Sequence, residues 1–290
     1  MKIDREEKVA LAQQALAEAK PSGGGEWLRA SCPFCVTVVG KVDRSRAFSI
    51  NRYSGWFHCF RCGTAGKLDG VEGIVERPAQ AEKQHADPPE HFLLLGEEPG
   101  ASAQVTAQAR GYLASRRVDA RLCAEAKLGA CLRGKYAGRV IVPVLSGDTW
   151  VGWVGRAYSR KVEKPYLYPP GAWRGRALYN HEAVLTPGEV VYVVEGVFDA
   201  LALWPHATAV LGKPSHEQVE ALALARRPVV VVLDGDAWLE GWSLATRLRL
   251  MGVRAGAVRL PPKKDPDEVP LADLWEAGRA ALASSDAVRI

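Results

Sequence analysis

The sequence lacks the features that mark several classes of protein. Its 290 residues contain no run of about 18 apolar residues, which excludes a membrane-spanning helix. The first seven residues carry charges of both signs and no apolar stretch, so no secretory signal is expected. Neither repeats nor coiled-coil heptads occur. With 48% hydrophobic and 24% charged residues, the composition excludes a wholly disordered chain and leaves room for about two domains.

Cysteine is scarce, but four of the six cysteines stand in two pairs. These are Cys32-Pro-Phe-Cys35 and Cys59-Phe-Arg-Cys62, with 23 residues between them. Six cysteines are too few for a disulfide scaffold, and Cys-x-x-Cys pairs in an intracellular protein favour a metal over a disulfide. Two such turns supply four sulfur ligands for a tetrahedral zinc ion. We therefore predict a structural zinc site in a zinc ribbon, with hairpin strands between the pairs.

Positive charge is concentrated in two segments, although the net charge is only +5. Residues 26–70 contain seven Lys and Arg against three Asp and Glu, and residues 121–180 contain eleven against three. Such blocks are either a solvated surface or a surface that binds a polyanion. The ribbon also interleaves aromatic and cationic side chains, which suit unpaired bases and phosphates unless the aromatics form its core. These residues are Phe48, Arg52, Tyr53, Trp56, Phe60 and Arg61.

The order of predicted elements changes along the chain. An amphipathic helix is expected over residues 5–20, and a Pro-, Ala- and Glu-rich linker over 76–104, within which Phe92-Leu-Leu-Leu95 is a candidate docking segment. Two short helices over 105–128 and two strands, 139–145 and 150–157, follow. From residue 190 onward apolar strands alternate with helices, which predicts a doubly wound parallel sheet.

Acidic residues follow three of these strands. Glu195-Gly196 ends the strand that begins at Val190, Asp234-Gly-Asp236 ends the next apolar run, and Asp265-Pro-Asp267 follows a third. Open parallel sheets bind ligands at the carboxyl ends of their strands. Alternation along an extended backbone would place Asp234 and Asp236 on one side. Each acid alone is explained as a helix N-cap, but three groups at one sheet edge favour Mg²⁺ or Mn²⁺.

These motifs together resemble a known family. Glu195-Gly-x-x-Asp199, Asp234-x-Asp236 and Asp265-Pro-Asp267 look like a Toprim domain, and the order of zinc ribbon, basic block and Toprim resembles a DnaG-type or bacteriophage DNA primase. Gly138-Arg139-Val-Ile-Val-Pro143 and Leu178-Tyr179 are similar to the basic half of that polymerase core. The four cysteines look more like the phage enzymes. Since no P-loop follows before Ile290, the resemblance implies a stand-alone primase without a helicase.

The resemblance implies a division of the chain and an α/β (overall α+β) fold class. Expected are an N-terminal helix (1–25), a template-binding zinc ribbon (26–75), a linker (76–104), a basic α+β part of the polymerase core (105–188) and a Toprim catalytic domain (189–290). The implied activity is DNA-directed synthesis of short RNA primers by nucleotidyl transfer. The alternative is a non-catalytic zinc and Toprim protein of the RecR recombination-mediator kind.

The resemblance also implies roles for individual residues. Catalytic metal ligands would be Glu195, Asp234 and Asp236, joined by Asp265 and Asp267, with Asp199 as a supporting acid. Nucleotide or DNA phosphates and bases would be held by a further set: Arg139, Arg156, Lys164, Trp56 and Arg61. Expected cofactors are structural Zn²⁺ and catalytic Mg²⁺ or Mn²⁺. Expected partners are single-stranded DNA, ribonucleoside triphosphates and a replicative helicase or polymerase, in the cytoplasm of a bacterium or phage-infected cell, without a membrane.

Overall fold

The computed structural model describes most of the chain, and the two compact units within it are treated separately. The described residues are 4–22, 27–68, 74, 86–96, 103–158, 163–171, 173–284 and 288–289. Apart from the short stretch Arg247–Gly252, the first unit lies before residue 82 and the second unit after it. Most of the stretch expected to be a linker, including residues 75–85, lies outside the described residues.

The first unit contains an N-terminal helix and an antiparallel sheet. Its helices are α1 (Arg5–Ala17) and α2 (Cys35–Val39), and its strands, in sheet order, are β1 (Lys20–Ser22), β2 (Trp27–Ala30), β3 (Phe48–Asn51), β4 (Trp56–Cys59) and β5 (Ala65–Lys67). The carboxylate of Asp4 caps α1 by accepting from two backbone amides. The helix ends three residues before the predicted Lys20, because Lys20–Ser22 pairs with β2 as a strand.

Aromatic packing forms the core of this unit. The rings of Phe34, Phe48 and Phe57 lie 5.3 to 5.9 Å apart and all three are buried. Apolar residues of α1, among them Ala12, belong to the same core. The burial of Phe48 contradicts its placement on a nucleic-acid-binding surface, since none of its side chain is accessible.

The second unit begins with helices and a second antiparallel sheet. The helices are α3 (Ala103–Ser115) and α4 (Ala120–Glu125), and the strands are β6 (Phe92–Leu94), β7 (Gly129–Cys131), β8 (Arg139–Ser146), β9 (Thr149–Ala157) and β10 (Tyr166–Leu167), which lie in reverse order across the sheet. The predicted strands β8 and β9 are present. Within the stretch expected to be a linker, the candidate docking segment at Phe92 is strand β6, which pairs with β7 and packs Phe92 against Cys131, Ile141 and Trp153.

A parallel sheet with helices between its strands completes the second unit. Its strands are β11 (Val191–Val194), β12 (Ala207–Ala209), β13 (Val229–Val231), β14 (Ala255–Arg259) and β15 (Val288–Arg289), and the helices are α5 (Glu182–Leu185), α6 (Val197–Ala202), α7 (His216–Leu222), α8 (Trp238–Leu250) and α9 (Leu271–Ala283). The sheet order is β12-β11-β13-β14-β15, with every pairing parallel. Strands buried on both faces require continuous apolar runs, which is why β11 and β13 consist mainly of valine. The predicted fold class is confirmed.

Within the described ranges, no helix is both long and apolar enough to cross a membrane.

Two glycines inside helices test how tightly α9 packs on the parallel sheet. A Cβ at Gly278 would lie 2.6 Å from the buried Tyr192 Oη, whereas one at Gly111 in α3 would meet nothing within 4 Å. We expect Gly278→Ala to destabilise the protein by roughly 1–3 kcal/mol through overpacking. The matched change Gly111→Ala should stabilise it by about 1 kcal/mol through helix propensity alone. Denaturant unfolding of both variants measures this, and stabilisation by both would contradict the packing described.

Candidate active site and zinc centre

The four paired cysteines converge on one point. Their Sγ atoms all lie within 4.8 Å of one another, with Cys32 and Cys62 3.7 Å apart and Cys35 and Cys59 3.7 Å apart. Sulfur atoms at the corners of a tetrahedron around zinc, with Zn–S bonds of about 2.3 Å, are about 3.8 Å apart. The donor set therefore fits zinc. Among the residues described, no other group of three or more Cys, His, Asp or Glu side chains is gathered this closely.

A buried aspartate that the sequence reasoning missed fixes the first cysteine pair. Asp43 accepts hydrogen bonds from the backbone N–H of Cys32 at 2.9 Å and of Ala47 at 2.7 Å. It also accepts from the backbone N–H and the hydroxyl of Ser45. Burial would raise the pKa of Asp43, but these hydrogen bonds outweigh it and hold the pKa below its ordinary value. The Asp-x-Ser sequence, typical of a turn, is the signal that could have identified this residue.

The ribbon residues assigned to nucleic-acid binding lie on its surface. Trp56 is half-buried with the Lys67 ammonium 5.9 Å from its ring centre, and Arg61 is exposed and donates to the Val42 carbonyl. Phe60 is 50% exposed, and the Arg29 guanidinium lies 5.1 Å from its ring. These contacts leave rings and cations accessible on the same unit.

The acidic residues gather at the carboxyl edge of the parallel sheet. Glu195 follows β11, Asp234 follows β13 and Asp265 follows β14, and these three strands are neighbours. The backbone N–H of Asp267 lies 3.4 Å from Asp199 Oδ1, and Asp199 Oδ2 accepts from the Gly196 N–H at 3.1 Å. Hydrogen bonds therefore tie the loop after β14 to the start of α6.

Asp236 is placed differently from the sequence-based expectation. Residues Gly235–Ala237 form a 3-10 turn directly after Asp234, so strand alternation does not apply to the pair. Asp234 is half-buried while Asp236 is exposed. The turn packs tightly, because a Cβ at Gly235 would lie 2.1 Å from the Pro261 carbonyl oxygen. Glycine at this position lets the loops after β13 and β14 approach each other.

The pKa values show that these carboxyl groups act on one another. Burial, followed by the charges of Asp267, Asp234 and Asp265, raises the pKa of Asp199 to about 8. Burial and the charge of Glu195 raise the pKa of Asp234 to about 6, with smaller effects from other acids of the cluster. The pKa values of Glu195 and Asp265 are raised too, mainly by burial. Carboxylates that disfavour each other's ionisation favour a cation between them.

The cluster also fits a hard divalent cation in its chemistry. Asp234 Oδ1 is buried and has no hydrogen-bond partner among the described residues. Its neighbours offer carboxylate oxygens, which are the ligands that Mg²⁺ and Mn²⁺ prefer. The residues present therefore suit such an ion, although they are not drawn together as closely as the cysteines.

Arg116 is a second residue that the sequence reasoning missed. Its Nη1 lies 2.7 Å from Asp267 Oδ2, and its guanidinium lies 5.5 Å from the Phe198 ring centre and 5.9 Å from that of Tyr112. Arg116 follows α3, far from Asp267 in the sequence, so no local pattern marks the pair. It brings a positive charge to one side of the acidic cluster.

The three basic residues assigned to phosphates have different surroundings. Arg139 is only 5% exposed, and its guanidinium donates to the carbonyls of Lys164 at 2.7 Å and Pro165 at 3.1 Å. These bonds hold the segment before β10, and they occupy the guanidinium that was expected to bind a phosphate. Arg156 is half-buried and donates to Tyr112 Oη, and Lys164 is exposed.

Removal of one cysteine tests the zinc centre. We expect purified protein to contain one zinc per chain, and Cys59→Ser to lose it and unfold the first unit, because structural zinc supplies folding energy. The control is Cys123→Ser, a buried cysteine outside the cluster, which should retain the metal. Elemental analysis of protein prepared without chelators measures both, and a metal-free wild-type protein would refute the assignment.

The raised pKa of Asp199 predicts a pH dependence of stability without metal. The unfolded chain ionises this group near its ordinary pKa of 3.8, and the folded chain only near about 8, so the group's contribution to stability is lost as pH rises between these values. Asp199→Asn should therefore gain in Tm relative to wild type as pH rises from 5 to 8. Exposed Glu276→Gln serves as the control. Thermal unfolding curves that shift in parallel for all three proteins would contradict this.

The similarity of this chain to known proteins is structural. Neither a protein-family model nor a curated protein sequence matches it significantly. Solved structures do: a DnaG catalytic core has a TM-score of 0.50 at 23% identity, covering 63% of this chain and 73% of that chain. A DnaG primase catalytic domain bound to single-stranded DNA has a TM-score of 0.51 at 23% identity, covering 63% and 76%.

A longer solved structure matches nearly the whole chain. It is the Aquifex aeolicus primase fragment with zinc-binding and RNA polymerase domains, with a TM-score of 0.51 at 18% identity, covering 95% of this chain and 85% of that chain. At sequence identities this low, the similarity shows the fold alone. The chain thus has the fold of the DnaG-type primase catalytic core, preceded by a unit whose four cysteines fit zinc.

Proposed function

We propose that this protein is a DNA primase, which synthesises short RNA primers on single-stranded DNA by metal-dependent nucleotidyl transfer. The observation that carries the proposal is the acidic cluster at the carboxyl edge of the parallel sheet, where Asp234 has a buried oxygen with no hydrogen-bond partner in the described part of the chain. This cluster belongs to a fold shared with DnaG catalytic cores. We identify the parallel-sheet region, from about residue 189, as a Toprim domain on these grounds.

In the proposed reaction, the primer 3′-oxygen attacks the α-phosphorus of a ribonucleoside triphosphate. The new P–O bond replaces the bond to pyrophosphate, which leaves, and the hydroxyl proton is released. Divalent ions held by Glu195, Asp234, Asp236, Asp265 and Asp267 would lower the pKa of the hydroxyl and stabilise the leaving oxygens. The protein must therefore present several carboxylates to one point.

Two residues position this cluster without contacting substrate. Asp199 is 8% exposed and accepts backbone N–H groups from Gly196 and Asp267, so it fixes the loops that carry the other acids. Arg116 orients the Asp267 carboxylate through an ion pair in which the Asp267 side chain is 11% exposed. We assign both a positioning role.

Template and nucleotide phosphates would be bound by cations outside the cluster. Arg156 and Lys164 remain the candidates in the second unit, since the guanidinium of Arg139 is occupied by carbonyl groups. The first unit offers Trp56, Phe60 and Arg61 for unpaired bases and phosphates, and we assign it the choice of template site. Its cations and rings are accessible, as that role requires.

A non-catalytic recombination mediator of the RecR kind is the alternative to this function. Such a protein would bind DNA without needing several carboxylates at mutually unfavourable distances. The raised pKa values of Glu195, Asp199 and Asp234 carry a cost in stability that a purely structural cluster would not repay. The acidic cluster therefore favours the enzyme.

Removal of one acid tests the catalytic proposal. Asp234→Ala should reduce incorporation of labelled ribonucleotides on single-stranded DNA by at least about 100-fold, because it removes a metal ligand worth several kcal/mol in the transition state. It should not lower Tm in the absence of metal, because a repulsive charge is removed. Exposed Asp273→Ala, on α9, is the control. Full activity of Asp234→Ala would remove this residue from the catalytic set, whereas no incorporation by the wild-type protein would favour the binding protein.

A further inference from the structure

Four planar side chains are stacked along the surface of the second unit near β10. The Arg156 guanidinium lies 4.4 Å from the Tyr166 ring centre, and the Arg174 guanidinium lies 4.1 Å from that of Tyr168. The two tyrosine rings are nearly parallel, with centres 6.4 Å apart and planes 11° from each other. We call Arg156, Tyr166, Tyr168 and Arg174 the planar platform.

The platform is accessible and positively charged. Tyr166 is 39% exposed, Tyr168 is half-buried and Arg174 is exposed. Residues two apart on an extended segment point to the same side, which brings the two tyrosines together. In the part of the chain that the structure describes, neither Arg156 nor Arg174 forms an ion pair. Their charges therefore remain available to an anion.

Buried polar groups hold the platform's backbone from below. Arg139 donates to the carbonyls of Lys164 and Pro165, immediately before Tyr166. On the other side, fully buried Gln218 donates to the carbonyls of Arg174 at 2.9 Å and Ala177 at 2.7 Å.

Buried Trp173 also belongs to this support, since its indole N–H donates to the Pro169 carbonyl at 3.3 Å. Burying polar side chains is costly unless they are bonded, and here a set of them fixes one exposed segment. These hydrogen bonds hold the backbone that carries the platform side chains.

Contacts connect the platform to the acidic cluster. Arg156 Nε donates to Tyr112 Oη at 3.0 Å, and the Arg116 guanidinium lies 5.9 Å from the Tyr112 ring centre. Arg116 in turn pairs with Asp267. A ligand on the platform would therefore lie beside the proposed catalytic carboxylates.

We propose that the planar platform stacks unpaired bases of the template strand, while Arg156 and Arg174 hold the adjoining phosphates; this rests on the proposed primase function. Aromatic rings stack with any base, and stacked guanidinium groups add both planar contact and positive charge. Phosphate contact alone would need exposed cations but not a pair of parallel rings. The platform combines both features on β9, β10 and the residues that follow β10.

The experiment compares single-stranded oligonucleotides that carry bases with abasic strands of the same length. Binding to the full chain is measured by fluorescence anisotropy, without nucleotide. We expect Tyr168→Ala to weaken binding of the base-containing strand by about tenfold, within the range known for one stacked base, and to leave the abasic strand nearly unaffected. Tyr168→Phe, which keeps the ring, should restore discrimination between the two strands. Arg174→Ala should weaken both strands and reduce the salt dependence by about one phosphate contact.

Two outcomes would overturn the inference. One is unchanged affinity of Tyr168→Ala for both strands, and the other is an equal loss for both, which would make the stack a support for the loop only. Thermal unfolding of each variant identifies a general loss of folded protein, and Tyr166→Ala, which removes the other ring of the platform, provides the test if Tyr168→Ala does not fold. Because DNA binding is measured without nucleotide transfer, its result is independent of whether the wild-type protein incorporates ribonucleotides. Stacking without synthesis would reject the primase function and leave the platform in place.

Discussion

Mutual repulsion among carboxylates at one sheet edge is the constraint on which the rest of the second unit depends. Left alone, such groups would separate or take up protons. Burial and the neighbouring acids raise the pKa of Asp199 to about 8, which favours its protonated form at neutral pH. The fold opposes separation with neighbouring buried strands and with the bonds that join their loops. One such bond is donated by the Gly235 N–H to the Lys264 carbonyl at 2.9 Å.

Part of this architecture could be read directly from the sequence. Valine-rich runs separated by helical segments predicted the parallel sheet, because strands covered on both faces have to be apolar throughout. The cysteine spacing predicted one cluster, since a tetrahedral site needs two close pairs, and the four Sγ atoms meet as expected. Both predictions rest on rules that act locally or at fixed periods.

Other features depend on distant contacts and left no local signal. Arg139 belongs to a basic block, yet its guanidinium donates hydrogen bonds to backbone carbonyls 25 and 26 residues later in the sequence. Strand β6 lies in a Pro- and Glu-rich stretch, and it forms a strand because its backbone pairs with β7. Asp236 lies in a 3-10 turn that follows Asp234, so the side-chain alternation of an extended strand does not reach it. Neither the number of charges in a segment nor its local composition reveals these long-range contacts.

The ion pair between Arg116 and Asp267 joins residues 151 positions apart. During synthesis from the amino terminus, the parallel sheet can begin to form while Asp267 has not yet been made. The loop that carries Asp265 and Asp267 reaches its place only after β14 has been added beside β13. A nascent chain that ends before this point has zinc ligands and basic surface but an incomplete set of carboxylates. Under the proposed function, the residues that would hold nucleic acid are thus made before the full set of carboxylates that would act on it.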